Sequence, residues 1–322
     1  MNKPTIGLFG GSGFVGSTLA NCLAQEGMSL RVFTRDRERA RHLWLLPDTA
    51  VTAVDLTDHE RLAAAVGGCT AVVNLIGILN ERGDTGAGFK RAHVDTVIQL
   101  IKACKSADVP QLLHFSALKA DLAAPSHYLR SKGEAEKLLL AENGRRLRVN
   151  IVRPSVIFGA HDNFLNRFAR MLSFAPRVLA LPAAEAKLQP VYIHDVVDAC
   201  VKLLSGAAGL ATSHDLGGPA VLSLREIVSY VAAVIERPTT IVGLGPGWSG
   251  VLARLLEMAP GTPLSRDNLR SLRVDSVITG SNGLTTLGIT ATPLAEVVPQ
   301  YLGGRFVRDR YNRFRRAAGR ER

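Results

Sequence analysis

The sequence has few cysteines, and they are far apart. Its four are Cys22, Cys69, Cys104 and Cys200. None belongs to a Cys-x-x-Cys pair or lies at ligand spacing from a histidine, which argues against a disulfide framework and a metal centre. Isolated cysteines of this kind are typical of reduced, buried small side chains in a cytosolic protein.

The sequence also lacks segments that would carry it into or across a membrane. No run reaches the roughly 18–20 apolar residues of a membrane-spanning helix, and the apolar run at 71–79 suits a buried strand. Residues 1–10 enter an apolar strand pattern without the basic and apolar parts of a signal peptide. The sequence therefore predicts a cytoplasmic protein, with peripheral association with the inner membrane as a further hypothesis.

Positive charge is concentrated at the C-terminus. The net charge is +11, and residues 303–322 hold eight arginines against Asp309 and Glu321. Phe306, Tyr311 and Phe314 interleave with these arginines. Such a segment could dock on an anionic membrane surface or an acidic partner within a membrane complex, or it could be a solvated end. Nucleic acid is not expected, because no nucleic-acid-binding fold accompanies the segment.

Strand and helix patterns alternate in the first half of the chain. The strands are continuously apolar, which is typical of a parallel sheet covered by helices on both faces. This pattern predicts an α/β fold with a doubly wound parallel Rossmann sheet. The predicted strands are 5–10, 30–34, 50–54, 70–77, 111–117 and 147–154, and the predicted helices are 14–27, 36–46, 58–66, 89–107 and 126–143.

The alternation loosens after Pro154, which predicts a second, smaller lobe. Helices are predicted at 163–174 and 225–236, a short strand and helix at 190–204, and a connection at 243–250. The predicted division is a NAD(P)-binding Rossmann domain over 1–160, a partly interleaved C-terminal lobe over 161–302, in which 190–205 return to the first domain, and a basic tail over 303–322.

A glycine-rich segment, GLFGGSGFVG, joins the first strand to the first helix. A bare Gly-x-x-Gly-x-x-Gly pattern is weak, but a strand before it and a helix after it are typical of dinucleotide binding. The three glycines permit a tight turn, approach of backbone N–H groups to a pyrophosphate, and close helix packing, and the helix N-terminus favours anions. The predicted contacts are Gly10, Ser12, Gly13, Phe14, Val15 and Gly16.

Arg35 lies at the end of the second strand, where NAD-specific sites carry an acid for the ribose 2′-hydroxyl. A guanidinium favours a 2′-phosphate, so we predict a preference for NADP(H), with NAD(H) as the alternative. Arg35 could instead be a solvated surface residue. Asp36 could reach the ribose, but as the N-cap of helix 36–46 it would be occupied.

The ends of the third and fourth strands supply further candidates. Asp55 and Leu56 are predicted near the adenine, although Asp55 is equally compatible with capping helix 58–66. Asn74 and Gly77 are predicted beside the ribose that carries the nicotinamide, or they simply end the strand.

Tyr128 and Lys132 lie four residues apart in the segment SHYLRSK, so they share one face of the predicted helix. An ammonium beside a phenol lowers the pKa of the phenol and prepares it for proton exchange near neutral pH. The lysine can also hold ribose hydroxyls. Ser116, twelve residues before Tyr128 at the end of the fifth strand, completes the set of catalytic candidates.

These motifs together resemble the extended or atypical short-chain dehydrogenases/reductases. A closer resemblance, over about residues 4–205, is to the NADPH-binding accessory subunits of respiratory complex I and their bacterial relatives. It rests on VVNLIGIL, HFSALKA, YLRSKGEAEK, VRPSVIFGAHDNFLNRFA and QPVYIHDVVDA. The matching residues are Gly10, Gly13, Gly16, Asp55, Asn74, Tyr128, Lys132, Arg153 and Pro154.

The resemblance implies NADP(H) with its nicotinamide near Tyr128, Lys132 and the loop 153–159 that begins at Arg153-Pro154. Active relatives carry a serine or threonine at the second position after the fifth strand, where this chain has Ala117. The resemblance therefore implies a nucleotide-holding accessory or assembly component linked to a respiratory NADH:quinone oxidoreductase. The alternative is an active NAD(P)-dependent oxidoreductase or epimerase/dehydratase on a sugar-nucleotide or quinone-pathway substrate.

The other polar candidates have structural interpretations. His194 and Asp195 are adjacent, and adjacent helical residues do not face each other, so we interpret them as a helix start or a link between lobes. Arg153 ends a buried strand, where it could anchor a substrate anion or brace the cofactor loop, and we favour the brace. His93 and His114 are interpreted as hydrogen-bonding residues.

Overall fold

The structure is a computed structural model, and it describes residues 3–81, 83–174, 177–206, 212–257 and 264–303. The strands are β1 (Thr5–Phe9), β2 (Ser29–Thr34), β3 (Thr49–Ala53), β4 (Ala71–Asn74), β5 (Gln111–Phe115), β6 (Arg148–Pro154), β7 (Ile157–Phe158), β8 (Val178–Pro182), β9 (Lys187–Leu188), β10 (Val191–Tyr192), β11 (Ser213–Leu216), β12 (Leu222–Ser223) and β13 (Thr240–Leu244). The helices are α1 (Phe14–Gln25), α2 (His59–Val66), α3 (Ala87–Phe89), α4 (Thr96–Ser106), α5 (His127–Glu142), α6 (Leu165–Phe174), α7 (Ile193–Leu204), α8 (Leu224–Val234), α9 (Pro246–Leu256), α10 (Arg266–Ser271), α11 (Gly283–Thr286) and α12 (Leu294–Leu302).

Seven parallel strands form the central sheet, in the order β11-β6-β5-β4-β1-β2-β3. All residues of β4 and β5 are buried, because helices cover both faces. One face packs against α1 and α7, and the other against α2, α4 and α5. The predicted doubly wound fold is confirmed. The strand order reverses between β1 and β4, and in such sheets ligands bind at this switch point, outside the carboxyl ends of the strands.

The structure corrects several predicted elements. Segment 36–46 contains a 3-10 helix over Glu38–Leu45, and the fourth strand ends at Asn74 and not at residue 77. The long helix before β5 contains a π-helical stretch, Lys90–Asp95, between α3 and α4. Segment 243–250 is not a connection, because it holds the end of β13 and the start of α9.

The C-terminal part builds a second apolar core from α6, α8, α12 and the strand pair β8 and β13. Helix α7 leaves this part and packs against α1 in the first core, and β11 extends the Rossmann sheet beside β6. In the described ranges, no helix combines the length and apolar character needed to cross a bilayer. Except for Gly303, the predicted basic tail lies outside the described residues.

Candidate functional site: a dinucleotide cleft at the carboxyl edge of the sheet

The glycine turn between β1 and α1 brings backbone groups into close contact. Gly10 adopts φ +80 and its carbonyl accepts a hydrogen bond from the Gly13 N–H at 3.1 Å. A Cβ on Gly16 would lie 2.3 Å from the Gly10 carbonyl oxygen, so only glycine lets α1 approach this turn. The first N–H groups of a helix have no intrahelical partner and attract anions. Of the other predicted contacts, Ser12 lies in this turn, and Phe14 and Val15 are the first two residues of α1.

An exposed arginine follows the end of β2. Arg35 is exposed, and the described part of the chain gives it no hydrogen-bond or ion-pair partner. The Asp36 carboxylate accepts the Glu38 N–H at 3.0 Å and lies 3.6 Å from Arg39 Nε. Asp36 is therefore engaged just before the 3-10 helix and is less suited to bind a ribose, but the N-cap of that helix is Arg37 and not Asp36 as predicted.

Asp55 follows β3 but does not cap α2. Its Oδ1 accepts hydrogen bonds from the backbone N–H (2.9 Å) and hydroxyl (2.8 Å) of Thr57, which lower the pKa of the carboxyl. The cap of α2 is Asp58, which accepts the Arg61 N–H at 3.1 Å. The interpretation of Asp55 as the cap of α2 was therefore wrong. The alternative, that Asp55 and Leu56 lie near the adenine, stays a prediction.

Asn74 is fixed in the interior at the end of β4. It is 1% exposed; its amide nitrogen lies 3.1 Å from His114 Nδ1 and its Oδ1 accepts the Ile76 N–H at 3.1 Å. The amide therefore shapes the turn after the strand. Its predicted position beside the ribose stays a prediction.

The helix face of Tyr128 and Lys132 lies against aromatic and backbone groups. The Tyr128 ring makes edge contacts with His93 and Phe89, at centroid distances of 5.6 and 6.0 Å. Lys132 is 4% exposed and donates from Nζ to the Phe115 carbonyl at 2.7 Å. Burial raises the pKa of Tyr128 to about 12 and lowers that of Lys132 to about 8. The predicted lowering of the phenol pKa by Lys132 is wrong here, because desolvation dominates.

Ser116 lies on the Lys132 side of the sheet. Side chains alternate along an extended chain, so Ser116 shares a face with His114, whose pKa is lowered by burial and then by Lys132. Ser116 is 5% exposed, and neither its hydroxyl nor His114 Nε2 has a hydrogen-bond partner within the described ranges. A buried unpaired polar group is costly, so these two atoms mark a place where a ligand or water can bind.

A chain of hydrogen bonds through His93 fixes the start of α5, and the sequence did not reveal it. His93 Nε2 accepts the Ile78 N–H at 3.1 Å, and its Nδ1 lies 2.8 Å from the Ser131 hydroxyl. Ser131 donates to the Tyr128 carbonyl at 2.8 Å. Burial lowers the pKa of His93 to about 2, so the ring is neutral. A Cβ on Gly77 would lie 3.5 Å from both His93 and Lys132, which places Gly77 beside these hydrogen-bonded side chains.

An acid from the C-terminal lobe also holds the tyrosine helix. The buried Asp267 of α10 accepts the N–H groups of His127 (2.7 Å) and Tyr128 (3.0 Å). In the next turn of α10, Arg270 binds both oxygens of Asp84 at 2.5 and 2.6 Å, and this pairing lowers the pKa of Asp84. Asp84, His127 and Asp267 are close enough for a metal ion, but these contacts already engage both carboxylates.

Arg153 ties β6 to α5 and to β11, and its predicted role as a brace of the cofactor loop stays a prediction. Its Nε donates to both oxygens of Glu136 at 2.9 and 3.1 Å, its Nη2 also donates to that carboxylate, and its Nη1 lies 3.6 Å from Asp215. The hydrogen bond to Glu136 is the main cause that raises the pKa of Arg153. Beside it, the Pro154 carbonyl accepts the Leu118 N–H at 3.2 Å. Asp195 lies in the first turn of α7, in agreement with the helix-start interpretation, and accepts the N–H and hydroxyl of Thr292.

The predicted site residues therefore converge along one edge of the sheet, since parallel strands place their carboxyl ends together. The glycine turn has open space beside Gly13: among the described atoms, a Cβ there would meet only the Gly10 carbonyl within 4 Å, at 3.3 Å. These residues fit a dinucleotide. In strand order, the edge carries Ser116 and Pro154, then Asn74 and Gly77, the glycine turn, Arg35, and Asp55 with Leu56.

Known proteins share this sequence pattern and fold. The model of the NAD dependent epimerase/dehydratase family matches residues 6–215. NADH dehydrogenase (ubiquinone) 1 alpha subcomplex subunit 9, mitochondrial, of Mus musculus is 29% identical over 295 residues, which cover 89% of this chain and 76% of the relative. Ceramide reductase of Caulobacter vibrioides is 28% identical over 203 residues, which cover 63% and 61%.

Solved structures agree with the fold. DesIV, a dTDP-glucose 4,6-dehydratase from Streptomyces venezuelae with NAD and TYD bound, superposes with a TM-score of 0.71 at 17% identity, covering 92% of this chain and 95% of that one. At this identity the likeness shows the fold alone. The resemblance to short-chain dehydrogenases/reductases and to the complex I subunit is confirmed by the sequence relatives.

Proposed function

The chain belongs to the NAD dependent epimerase/dehydratase family, and on that basis we propose that it binds NADP(H) and holds it without turnover. In this role it is an accessory or assembly component linked to a respiratory NADH:quinone oxidoreductase. The glycine turn holds the pyrophosphate, Arg35 the 2′-phosphate, and Lys132 the ribose next to the nicotinamide. A bound dinucleotide supplies a hydride donor or acceptor to this cleft.

The proposal depends on the hydrogen bonding and protonation of the catalytic candidates Lys132, Tyr128 and Ser116. Lys132 Nζ is tied to the Phe115 carbonyl, and burial raises the pKa of Tyr128 to about 12. A phenol with that pKa exchanges a proton less readily near neutral pH than one whose pKa is lowered by a neighbouring ammonium. The buried Ser116 hydroxyl has no partner in the described structure, and the next residue is Ala117. This arrangement favours retention of the nucleotide over catalysis.

The link to a respiratory complex is supported by the breadth of one similarity. The mitochondrial subunit from mouse matches 89% of this chain, so both the Rossmann part and the C-terminal lobe contribute to the alignment. An accessory subunit needs a stable fold around its nucleotide and does not need a substrate cavity. A peripheral position at the inner membrane is part of this proposal.

We expect Arg35→Asp to reverse the nucleotide preference. The substitution removes a charge-assisted contact to the 2′-phosphate and places a carboxylate where it repels that group, so the ratio of NADPH to NADH affinity should fall about 10–100-fold. Isothermal titration calorimetry with both nucleotides measures the ratio. Lys137→Asp, an equal charge change at an exposed position of α5, should leave it unchanged. An unaltered ratio in Arg35→Asp removes this residue from the site.

Turnover is tested on the full-length protein loaded with NADPH. We expect the absorbance of the reduced nicotinamide to stay constant when sugar nucleotides, ketones or short-chain quinones are added, and we expect Tyr128→Phe to bind NADPH as the wild type does. Substrate-dependent oxidation that disappears in Tyr128→Phe contradicts the holding role.

An active reductase is the second candidate. It is favoured by the intact Tyr128-x-x-x-Lys132 pair on one helix face and by the similarity to a protein named ceramide reductase over 63% of this chain. In that case, Tyr128 would exchange a proton at its phenol oxygen with a substrate carbonyl or hydroxyl, while Lys132 would hold the ribose.

A further inference from the structure

The C-terminal lobe exposes large apolar side chains that its own core does not use. Phe174 is 86% exposed and Trp248 is 74% exposed, although aromatic side chains of this size are usually buried in large part. We call the surface formed by Met171, Phe174, Val178, Val242, Trp248 and Val251 the apolar strip. All six residues are exposed.

Chain geometry places the residues of the strip side by side in three pairs, on α6, on the strand pair β8–β13 and on α9. Met171 and Phe174 are three apart at the end of α6, and Trp248 and Val251 are three apart on α9, so each pair shares a helix face. Val178 begins β8 four residues after Phe174. Val242 pairs with Ala180, two residues along β8 from Val178, and so points to the same side of the strand pair.

Positive charge predominates in the segments that form the strip, and the exposed acid Glu185 beside them is paired with Arg225, which also donates to the Ile241 carbonyl. Segments 164–184 and 237–256 contain no aspartate or glutamate. The exposed arginines in these segments include Arg170, Arg177 and Arg254. Arg254 follows Val251 by one helical turn, so the apolar and basic side chains share the exposed face of α9.

We propose that the apolar strip is a docking surface for an anionic phospholipid bilayer. Tryptophan and phenylalanine insert at the boundary between headgroups and acyl chains, while arginines neutralise anionic headgroups. A second copy of the chain fits less well, because a self-complementary contact would bring the arginines of both copies together. The strip lies outside the dinucleotide cleft, so the proposal does not depend on nucleotide binding.

Flotation of the full-length protein with vesicles tests the proposal. We expect binding to vesicles of phosphatidylcholine with phosphatidylglycerol, and much weaker binding to phosphatidylcholine alone. Phe174→Glu combined with Trp248→Glu should weaken binding to the anionic vesicles at least about tenfold. Leu45→Glu combined with Leu140→Glu is the matched control, since both leucines are exposed elsewhere, and it should bind as the wild type does.

Tryptophan fluorescence is a second measurement, and it follows the environment of the apolar strip directly. The chain has two tryptophans, so in Trp44→Phe the fluorescence comes from Trp248 alone, and it should shift to the blue with anionic vesicles. Unchanged flotation of the double glutamate variant, or no shift, overturns the proposal and assigns any membrane binding to another surface. A blue shift without vesicles that rises with protein concentration, together with dimers in sedimentation velocity, identifies a second copy as the occupant and also overturns it.

Discussion

Gly16→Val should weaken NADP(H) binding by about 100-fold or more, because displacing groups that position a ligand by about 1 Å can have an effect of this size. A Cβ at position 16 would lie 2.3 Å from the Gly10 carbonyl oxygen and 2.6 Å from Gly11 Cα. The neighbouring atoms are backbone, so they cannot rotate away. Helix α1 must move, and its N-terminal N–H groups move with it. Calorimetry with NADPH measures the loss.

Two further variants separate a binding defect from a folding defect. Gly250→Val places the same side chain in α9, where a Cβ would meet nothing within 4 Å, and it should bind NADPH normally. If Gly16→Val does not fold, Gly13→Ala takes its place: its Cβ would meet only the Gly10 carbonyl, at 3.3 Å, on the side where the pyrophosphate is placed. Wild-type affinity in both Gly16→Val and Gly13→Ala would show that the dinucleotide binds elsewhere.

Arg153→Met is expected to lower the free energy of unfolding by about 3–5 kcal/mol, the range found when one partner of a buried ion pair is removed. Glu136 is 4% exposed and accepts three hydrogen bonds from Arg153. Without the guanidinium, its carboxylate must stay charged without a partner or take up a proton. Urea denaturation monitored by circular dichroism measures the change.

Comparison with an exposed pair shows whether burial is the cause. Lys3 and Asp48 form an ion pair with side chains 58% and 51% exposed, so Lys3→Met should change stability by less than about 1 kcal/mol. Adding Glu136→Leu to Arg153→Met should restore much of the loss, because both charges are then gone. Equal small effects in Arg153→Met and Lys3→Met would mean that Arg153 does not brace the fold.

Most of the Rossmann sheet could be predicted because its signals are local. Continuous apolar runs identified β1 to β6, and the glycine turn identified their connection to α1. The strand β11 was missed because SHDL has a single large apolar residue, and its place depends on pairing with β6. Segment 38–45 buries Ala40 and Leu43, three residues apart, which suits the three residues per turn of a 3-10 helix.

The start of α9 shows how composition misled the prediction. The glycines and proline of segment 243–250 indicated a loop, yet Pro246 is the first residue of a helix. Proline is favoured there because it lacks only an N–H that has no intrahelical partner in any case. The position of Pro246 was therefore a helix-start signal.

Within the candidate site too, local motifs could be predicted and contacts between distant segments could not. Motifs within one strand–helix unit, such as the glycine turn and the Tyr128–Lys132 pair, were recognised from spacing. The sequence did not predict that Lys132 Nζ points towards the Phe115 carbonyl, because that direction depends on how α5 packs on β5. Asp267 was missed because it is 139 and 140 residues from the N–H groups that it binds, and no local pattern records such a contact.

The contact of Asp267 with α5 couples the opening of α5 to that of α10. Two amide groups at the start of the tyrosine helix depend on an acid near the far end of the chain. Separation of α10 would remove the acceptor of those two amides and loosen the first turn of α5. Hydrogen exchange at the first turn of α5 should follow the opening of α10, with both released in one cooperative step.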